Sequence, residues 1–311
     1  MLQLRTAGYK ALDNLRANRE FPPAWSSAEE LEQAADRVMQ RFLAERLEVS
    51  RALGAFFFLG ELLDSAMRSD EQEIMDSSTV SESERHELVT ALDRQNAFMG
   101  LYSRYATLLW PLVGEIAERT GRRVKLLELA SGSGGLALAL ASEAEKLGMP
   151  LAVTGSDIVP RYIDEANRLA CEKKLPVTFR LLDAFRTTPG DEEHFDIVLI
   201  SQSLHHFTPG KLAVMIDHAC RRKASAFVGI DGYRDMLLGI GMPLAAGIQG
   251  KTAFTLDSIT SSRKFYSEPE LALLAEVAAG PGRHTVFCSW PMSVMVIRFD
   301  GKNPETGISQ P

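Results

Sequence analysis

Residues 124–141 constrain the fold of this 311-residue chain more than any other stretch. Residues 124–129 are mostly apolar and have the length of a strand, residues 130–135 are small, and the run after them has strong helix propensity. Small residues let backbone N–H groups approach a ligand closely, and the positive end of the following helix points to the same place. This order of strand, glycine turn and helix predicts the first βαβ unit of a nucleotide-binding domain.

An acidic residue before the glycines narrows this prediction. Glu128 precedes Gly132 by four residues, and the turn reads Ala-Ser-Gly-Ser-Gly. The stretch resembles the Glu-x-x-x-Gly-x-Gly motif of class I S-adenosylmethionine-dependent methyltransferases, with an alanine at the usual first glycine. The resemblance implies S-adenosylmethionine as cofactor, with Glu128 helping to shape the cofactor-binding turn and the methionine portion held by Ala130, Ser131, Gly132, Ser133 and Gly134. The looser Gly-x-Gly-x-x-Ala pattern of dinucleotide-binding proteins also fits, through Ala137.

From residue 124 onward, strand-like and helix-like segments alternate, which predicts a mostly parallel sheet with helices on both faces. Five strands are expected at 124–129, 151–156, 177–182, 195–200 and 226–230. Two further strand-like runs, 284–289 and 292–299, are separated by two residues and can only form a hairpin, because parallel strands need a long crossover. The predicted fold class is α/β, a doubly wound, mostly parallel seven-stranded sheet with an antiparallel C-terminal hairpin. This arrangement is similar to the Rossmann-like methyltransferase fold. It argues against an NAD-dependent enzyme, whose sheet more usually ends on a parallel sixth strand.

The N-terminal region differs in pattern. After an irregular arm over residues 1–25, capping boxes at Ser27 and Ser81 predict helices, so residues 1–120 are expected to be all-helical. The apolar segment 51–67 is predicted to be a buried helix. We interpret residues 1–120 as a cap or dimerisation region and residues 121–311 as the cofactor-binding domain. An insertion at 232–262 is expected to hold one helix, either as plain packing or as an apolar lid.

Charge and cysteine content exclude several classes of function. The net charge is −7, and the longest basic run is only residues 221–223, which disfavours a nucleic-acid partner. Cys171, Cys220 and Cys288 lack Cys-x-x-Cys spacing, so neither a zinc site nor a disulfide framework is predicted. No signal-peptide-like region or apolar run of about 20 residues is present. The chain is therefore expected to be cytoplasmic, without membrane contact.

Further cofactor contacts are expected where the predicted strands end. Asp157 and Ile158 follow the second strand, at the sheet edge where ligands bind, and a carboxylate there can accept both ribose hydroxyls. Asp157 can also cap the following helix. Asp183, Ala184 and Phe185 resemble the adenine-side Gly-Asp-Ala segment of the family. The family also implies contacts at the methionine end from Tyr102, Arg104, Ser201 and Gln202.

Paired histidines, His205 and His206, follow the fourth strand. They resemble those of small-molecule methyltransferases, among them ubiquinone and menaquinone C-methyltransferases and natural-product O-methyltransferases. Methylation of a hydroxyl requires loss of its proton, for which histidine is suited at neutral pH. Asp231 ends the next strand 26 residues later, and such a pair resembles that of bacterial sugar O-methyltransferases. His205 is therefore predicted to be the general base and Asp231 its partner; alternatively, the histidines only cap a helix or pack under the cofactor.

The resemblance covers residues 90–300, including Asn96, which matches an uncharacterised bacterial group. Contacts to the acceptor are expected from His206, Tyr233, Arg234 and Met242, without a metal ion. The predicted function is S-adenosylmethionine-dependent methyl transfer to a small organic acceptor, with oxygen preferred and a natural-product pathway as its setting. A C-methyltransferase and a non-catalytic cofactor-binding regulator are the alternatives, and a homodimer through the N-terminal helices is a further expectation.

Overall fold

The computed structural model describes residues 2–77, 80–185, 193–248, 250 and 252–301. The strands are β1 Val124–Leu129, β2 Leu151–Asp157, β3 Val177–Leu181, β4 Ile197–Ser201, β5 Ala226–Gly232, β6 His284–Ser289 and β7 Met292–Arg298. The α-helices of these residues are α1 Arg5–Arg16, α2 Ala28–Leu53, α3 Ala55–Met67, α4 Glu82–Phe98, α5 Leu101–Thr120, α6 Gly135–Leu147, α7 Pro160–Glu172, α8 Pro209–Arg221, α9 Met236–Gly247, α10 Thr252–Lys264 and α11 Glu268–Ala279.

The strands form one seven-stranded sheet in the order β3-β2-β1-β4-β5-β7-β6. Strands β1 to β5 pair in parallel, whereas β7 pairs antiparallel with both β5 and β6. The predicted α/β fold with its C-terminal hairpin is confirmed. Because β1 to β4 run in the same direction, the polar residues that follow them meet at one edge of the sheet.

Two apolar cores sandwich this sheet. Helices α1, α2, α8 and α11 supply one core and helices α5, α6 and α7 supply the other, each against side chains of the strands. The first two helices therefore share a core with the C-terminal half of the chain. Among the described helices, none is long and apolar enough to cross a membrane.

The irregular arm predicted for residues 1–25 is wrong, because much of it is helix α1. The side chains of Ala7, Ala11 and Leu12 are fully buried in the core shared with α2. No polar capping residue marks the start of this helix. Leu4 holds the N-cap position in a left-handed conformation without a side-chain cap, so the usual sequence signal is missing.

The prediction of a buried helix over residues 51–67 is wrong in its orientation. Helix α3 forms, but Phe56 and Leu59 are 74% and 66% exposed, whereas Glu61 and Asp64 are buried. The inward-facing carboxylates pair with Arg46, Arg68 and Arg234, so ion pairs rather than apolar contacts occupy the inner face of α3. Such pairing is not visible in a helical periodicity.

Those ion pairs form a buried cluster. Asp64 Oδ2 lies 2.6 Å from Arg46 Nη2, Asp64 Oδ1 lies 2.6 Å from Arg234 Nε, and Arg68 Nη2 lies 2.6 Å from Glu270 Oε1. Arg46, Arg234, Asp64 and Glu270 are all almost fully buried. The cluster joins α2, α3, α11 and the segment after β5, and so ties the N-terminal helices to the C-terminal half.

The insertion at 232–262 holds two helices, α9 and α10, rather than the one that was predicted. Asp235 caps α9 by accepting a hydrogen bond from the backbone N–H of Leu237. Ala246 and Phe254 from the two helices pack with α4 in a small core of their own. The two helices therefore form a roof beside the carboxyl edge of the sheet.

Residues 68–77, here called the strap, connect α3 to this roof region. Asp257 of α10 accepts hydrogen bonds from the backbone N–H groups of Ile74 and Met75. Arg85 of α4 donates to the carbonyl oxygens of Met75 and Ser77. The strap is thereby fixed across the carboxyl edge of the sheet.

Candidate active site

The carboxyl ends of β1, β2 and β4 open onto a cleft of about 1070 Å³. Most of the residues predicted from sequence to bind the cofactor line it together. They are Tyr102, Glu128, Ala130, Ser131, Gly132, Ser133, Asp157, Ile158, Ser201 and Gln202, with His205 and His206 beside them.

The glycine turn has the backbone that its sequence requires. Gly132 and Gly134 have φ angles of 53° and 82°, a left-handed conformation that glycine adopts without penalty. A Cβ on Gly134 would meet the ring of Phe179, so this residue shapes the turn from behind the cleft. Ala130 also has a positive φ of 50°, which explains why the related motif has glycine at that position.

Asp157 anchors this turn. Its Oδ2 accepts a hydrogen bond of 2.9 Å from the backbone N–H of Gly132, and its Oδ1 accepts one of 3.0 Å from Val159. Burial raises the pKa of the Asp157 carboxyl, and the backbone hydrogen bonds oppose that rise. One carboxylate therefore fixes the turn and the start of α7, while its side chain lines the cleft.

A second carboxyl group, Glu128, lies at the base of the cleft. Its Oε1 accepts a hydrogen bond of 3.0 Å from the Ser201 hydroxyl. Burial, with help from the neighbouring Asp93 and Asp157 carboxyls, raises the pKa of Glu128 to about 8. Ionisation of Glu128 is therefore costly until a positive charge enters the cleft.

Asp93 adds a third carboxyl group, which sequence analysis missed. It accepts hydrogen bonds from the hydroxyls of Tyr102 and Ser133 and also lines the cleft. Burial raises the pKa of Asp93 as well. Asp93 and Asn96 are three residues apart and therefore lie on one face of α4. This spacing was the sequence signal that could have placed Asp93 in the site with Asn96.

His205 and Asp231 form a buried pair at the far end of the cleft. The Nδ1 of His205 lies 2.8 Å from Asp231 Oδ2, and the backbone N–H of His205 donates to the same oxygen at 2.9 Å. Gly232 donates its backbone N–H to the other carboxylate oxygen. The side chain of Asp231 thus fixes the orientation of the imidazole ring, as the sequence predicted.

Glu73 of the strap faces the other nitrogen of this imidazole, and sequence analysis missed it. Its Oε1 lies 3.3 Å from His205 Nε2 and 3.4 Å from Lys264 Nζ. Burial alone would lower the pKa of His205, but the Asp231 and Glu73 carboxylates raise it to about 10. Burial opposes ionisation of Glu73, yet His205, His206 and Lys264 lower its pKa to about 2. In this arrangement the imidazole carries a proton at neutral pH.

Asn96 and Gln202 form the wall next to this pair. Their side-chain amides exchange two hydrogen bonds, of 2.6 and 3.0 Å. Gln202 also donates to the hydroxyl of Tyr105 at 2.8 Å, and it has a positive φ of 53°. This network holds Gln202 in a strained conformation, which is common for residues at functional sites.

Comparison with known proteins identifies the family of the domain that holds this site. Residues 126–226, which run from within β1 to the first residue of β5, match a family described as a methyltransferase domain. The chain contains a class I S-adenosylmethionine-dependent methyltransferase domain. It is an S-adenosylmethionine-dependent methyltransferase, which confirms the resemblance given by Glu128 and the glycine turn.

Solved structures support the fold of this methyltransferase. The plantazolicin methyltransferase BpumL in complex with SAH is 13% identical, with a TM-score of 0.53 over 84% of this chain and 99% of that one. The CMeT domain of the citrinin polyketide synthase is 15% identical, with a TM-score of 0.52 over 96% of this chain and 78% of that one. At these identities the likeness concerns the fold alone. A search of curated proteins gives no match.

The residues of the cleft fit the cofactor of the methyltransferase. Three carboxyl groups surround the glycine turn, which suits the sulfonium and the amino group of S-adenosylmethionine. The hydroxyl oxygen of Ser131 is buried without a hydrogen-bond partner among the described residues, and it lines the same cleft. The turn therefore offers both charge and unused hydrogen-bonding capacity to such a ligand.

Three of the predicted contact residues lie elsewhere. Arg104 is exposed on α5 and does not line the cleft. Tyr233 does not line the cleft, and its backbone N–H donates to the carbonyl oxygen of Pro291. Arg234 belongs to the buried ionic cluster with Asp64, so its side chain has no access to an acceptor. All three lie in segments close to the cleft, but contacts with distant parts of the chain set the direction of each side chain.

The adenine-side residues lie next to the cleft rather than in its lining. Asp183 accepts the backbone N–H of Phe185, and the Phe185 ring packs edge-on against Phe207, which does line the cleft. Ala184 accepts a hydrogen bond at its carbonyl oxygen from His218. Residues 186–192, which continue this segment, lie outside the described part of the chain.

Glu128→Gln is expected to stabilise the cofactor-free enzyme at pH 9, by an amount on the order of 2 kcal/mol. Because folding raises the pKa of Glu128 from 4.5 to about 8, its contribution to stability is complete below pH 4.5 and is lost as the pH rises through 8. A glutamine does not ionise and escapes this loss. Thermal unfolding at pH 6 and pH 9 measures the effect, with the exposed Glu145→Gln as control. Equal pH dependence of the Glu128 variant and the wild type would contradict the buried, protonated state.

Proposed function

We propose that this methyltransferase acts on a hydroxyl group of a small organic acceptor, with His205 as the general base. The observation that carries this proposal is the His205–Asp231 pair. Asp231 holds Nδ1, so Nε2 is the nitrogen that can receive a proton, and the ring of His205 lines the cofactor cleft. A pair of this kind is a common means of removing a proton from a hydroxyl.

S-adenosylmethionine, when bound, supplies a methyl group on a sulfonium sulfur, which becomes a neutral thioether after transfer. Glu128, Ser131 and Asp157 would hold it against the glycine turn. His205 removes the proton of the acceptor, and Asp231 stabilises the imidazolium that forms. The wall of Asn96 and Gln202 orients the acceptor, which brings a large rate gain in itself.

The strap has a place in this proposal. An acceptor oxygen within hydrogen-bond reach of Nε2 would occupy the space that the Glu73 carboxylate holds at 3.3 Å. Glu73 must therefore give way when the acceptor binds, and it can retain its contact with Lys264. The loss of one carboxylate neighbour lowers the proton affinity of His205 and favours its neutral, reactive form.

The names of two structural neighbours support a small acceptor, because one is a plantazolicin methyltransferase and the other is a domain of the citrinin polyketide synthase. A natural-product pathway, a cytoplasmic location, and a homodimer through the N-terminal helices remain predictions. The division into residues 1–120 and 121–311 also remains a proposal.

The direct experiment is incubation with S-adenosylmethionine and a panel of small hydroxyl compounds, followed by mass spectrometry and NMR of the products. A methyl group on oxygen is expected. A methyl group on a ring or enolate carbon would favour the C-methyltransferase instead. Cofactor binding without turnover of any acceptor would favour a regulatory protein.

Glu73→Gln is expected to shift the pH dependence of kcat/KM to lower pH by about one unit. The neutral form of His205 is the base, so activity rises with pH towards a pKa of about 10. Removal of one of the two carboxylates lowers the pKa of His205, so the activity increases at lower pH than in the wild type. Glu71→Gln, on the same strap but facing Arg263, serves as control and should leave the profile in place. An unshifted profile in the Glu73 variant would contradict the assignment of the base.

A further inference from the structure

A second, smaller cavity adjoins the cleft. The two cavities share His205, His206, Asn96 and Gln202 in their linings, so they meet at the catalytic pair. The smaller cavity, here called the chamber, has a volume of about 100 Å³. An apolar cavity of roughly 150 Å³ is known to hold benzene, so a small ring would fill the chamber and extend into the adjoining cleft.

The walls of the chamber are mainly apolar and come from distant parts of the chain. They include four methionines, Met75 of the strap, Met99, Met242 of α9 and Met292 of β7, together with Leu238 and Phe265. Methionine side chains adapt to irregular shapes and make favourable contacts with aromatic rings. The roof formed by α9 and α10 closes the chamber on the side away from the cleft, and this explains why the insertion carries apolar residues on its inner face.

The polar groups of the chamber are acidic or neutral, apart from the two histidines. Glu73, Asp231 and Asp257 contribute carboxylates, and within the described residues no lysine or arginine lines the chamber. Lys264 lines the cleft instead. An acceptor that carries a carboxylate would add a negative charge beside these three carboxylates, while the His205 imidazolium is already paired with Asp231 and Glu73, which is unfavourable in a site shielded from water.

We propose that the chamber holds the ring of a neutral phenol and presents its hydroxyl to His205 Nε2. This inference rests on the proposed function and names its class of acceptor. The ring fills the methionine-lined space of the chamber. The hydroxyl lies at the end of the chamber where His205 contacts Glu73 and Asp231. A phenol such as that of tyrosine has a pKa of about 10, low enough for an imidazole base to take its proton as the methyl group is transferred.

Titration of phenol and of benzoate into the SAH-loaded enzyme, followed by saturation-transfer NMR and calorimetry, tests this inference. Phenol is expected to bind and benzoate to bind at least about tenfold more weakly. Met242→Trp fills the chamber and should abolish phenol binding. Leu244→Trp, on the exposed face of the same helix, should bind phenol like the wild type. The affinity of each variant for SAH, measured in the same experiment, shows that the fold is intact.

Phenol binding that persists in Met242→Trp would place the ring elsewhere and overturn the inference. Equal binding of benzoate would overturn the charge argument. Absence of phenol binding in an enzyme that binds SAH would also overturn the inference and leave the proposed methyl transfer standing. A wild-type protein that fails to bind SAH would instead contradict the proposed function itself.

Discussion

His205→Ala is expected to lower kcat by about 10²- to 10⁴-fold while the affinity for SAH stays within a few-fold of the wild type. The imidazole is the one group in the described cleft whose orientation is fixed by a carboxylate on one nitrogen while the other nitrogen faces the acceptor side. Without it, the acceptor hydroxyl must lose its proton to water. Single-turnover methyl transfer and calorimetric titration with SAH measure the two quantities separately.

The control for this prediction is His194→Ala, since His194 is half-exposed and pairs with Asp196 outside the cleft. It should leave kcat unchanged. Asp231→Asn should also lower kcat, because an amide cannot stabilise the imidazolium. If His205→Ala keeps full activity on a true acceptor, His205 is not the base, and positioning alone accounts for the reaction.

Asp64→Ala is expected to destabilise the enzyme by about 3–5 kcal/mol. Asp64 has no exposed surface and pairs with Arg46, Arg68 and Arg234. Its removal leaves Arg234 deeply buried with only backbone carbonyls as described partners and leaves Arg46 to pair with Glu61, which costs more than the loss of an exposed ion pair. Chemical denaturation monitored by circular dichroism measures the free energy of unfolding.

Glu48→Ala provides the matched control, because Glu48 pairs with Arg51 on the exposed face of α2. Its effect should be below about 1 kcal/mol. A small effect of Asp64→Ala, similar to that of Glu48→Ala, would mean that the arginines find water or other partners. The ionic cluster would then not be what holds the apolar face of α3 outward.

Local sequence signals predicted the parts of this enzyme that depend on neighbours along the chain. The strand, glycine turn and helix from residue 124 onward form as predicted, and the two-residue spacing between β6 and β7 gave the hairpin. Asp157 and Asp231 were found because residues that end parallel strands meet at one edge of the sheet. The pairing of His205 with Asp231 follows from the same rule.

Contacts between distant segments account for what sequence analysis missed. Glu73 reaches His205 only because Asp257 and Arg85 fix the strap across the sheet edge. Arg234 is adjacent to Tyr233 in a segment that borders the site, yet Asp64, 170 residues away, turns its side chain into the protein. The outward apolar face of α3 has the same origin. No periodicity or local motif carries this information.

Calorimetric titration of the wild-type protein with SAH, alongside Asp157→Ala, tests whether the cleft binds the cofactor. We expect binding by the wild type and an affinity about 10- to 100-fold weaker in the variant, since the carboxylate that holds Gly132 and lines the cleft is lost. The exposed Asp164→Ala on α7 should bind like the wild type. A wild-type protein that shows no binding of SAH would contradict the assignment of the cleft and every role derived from it.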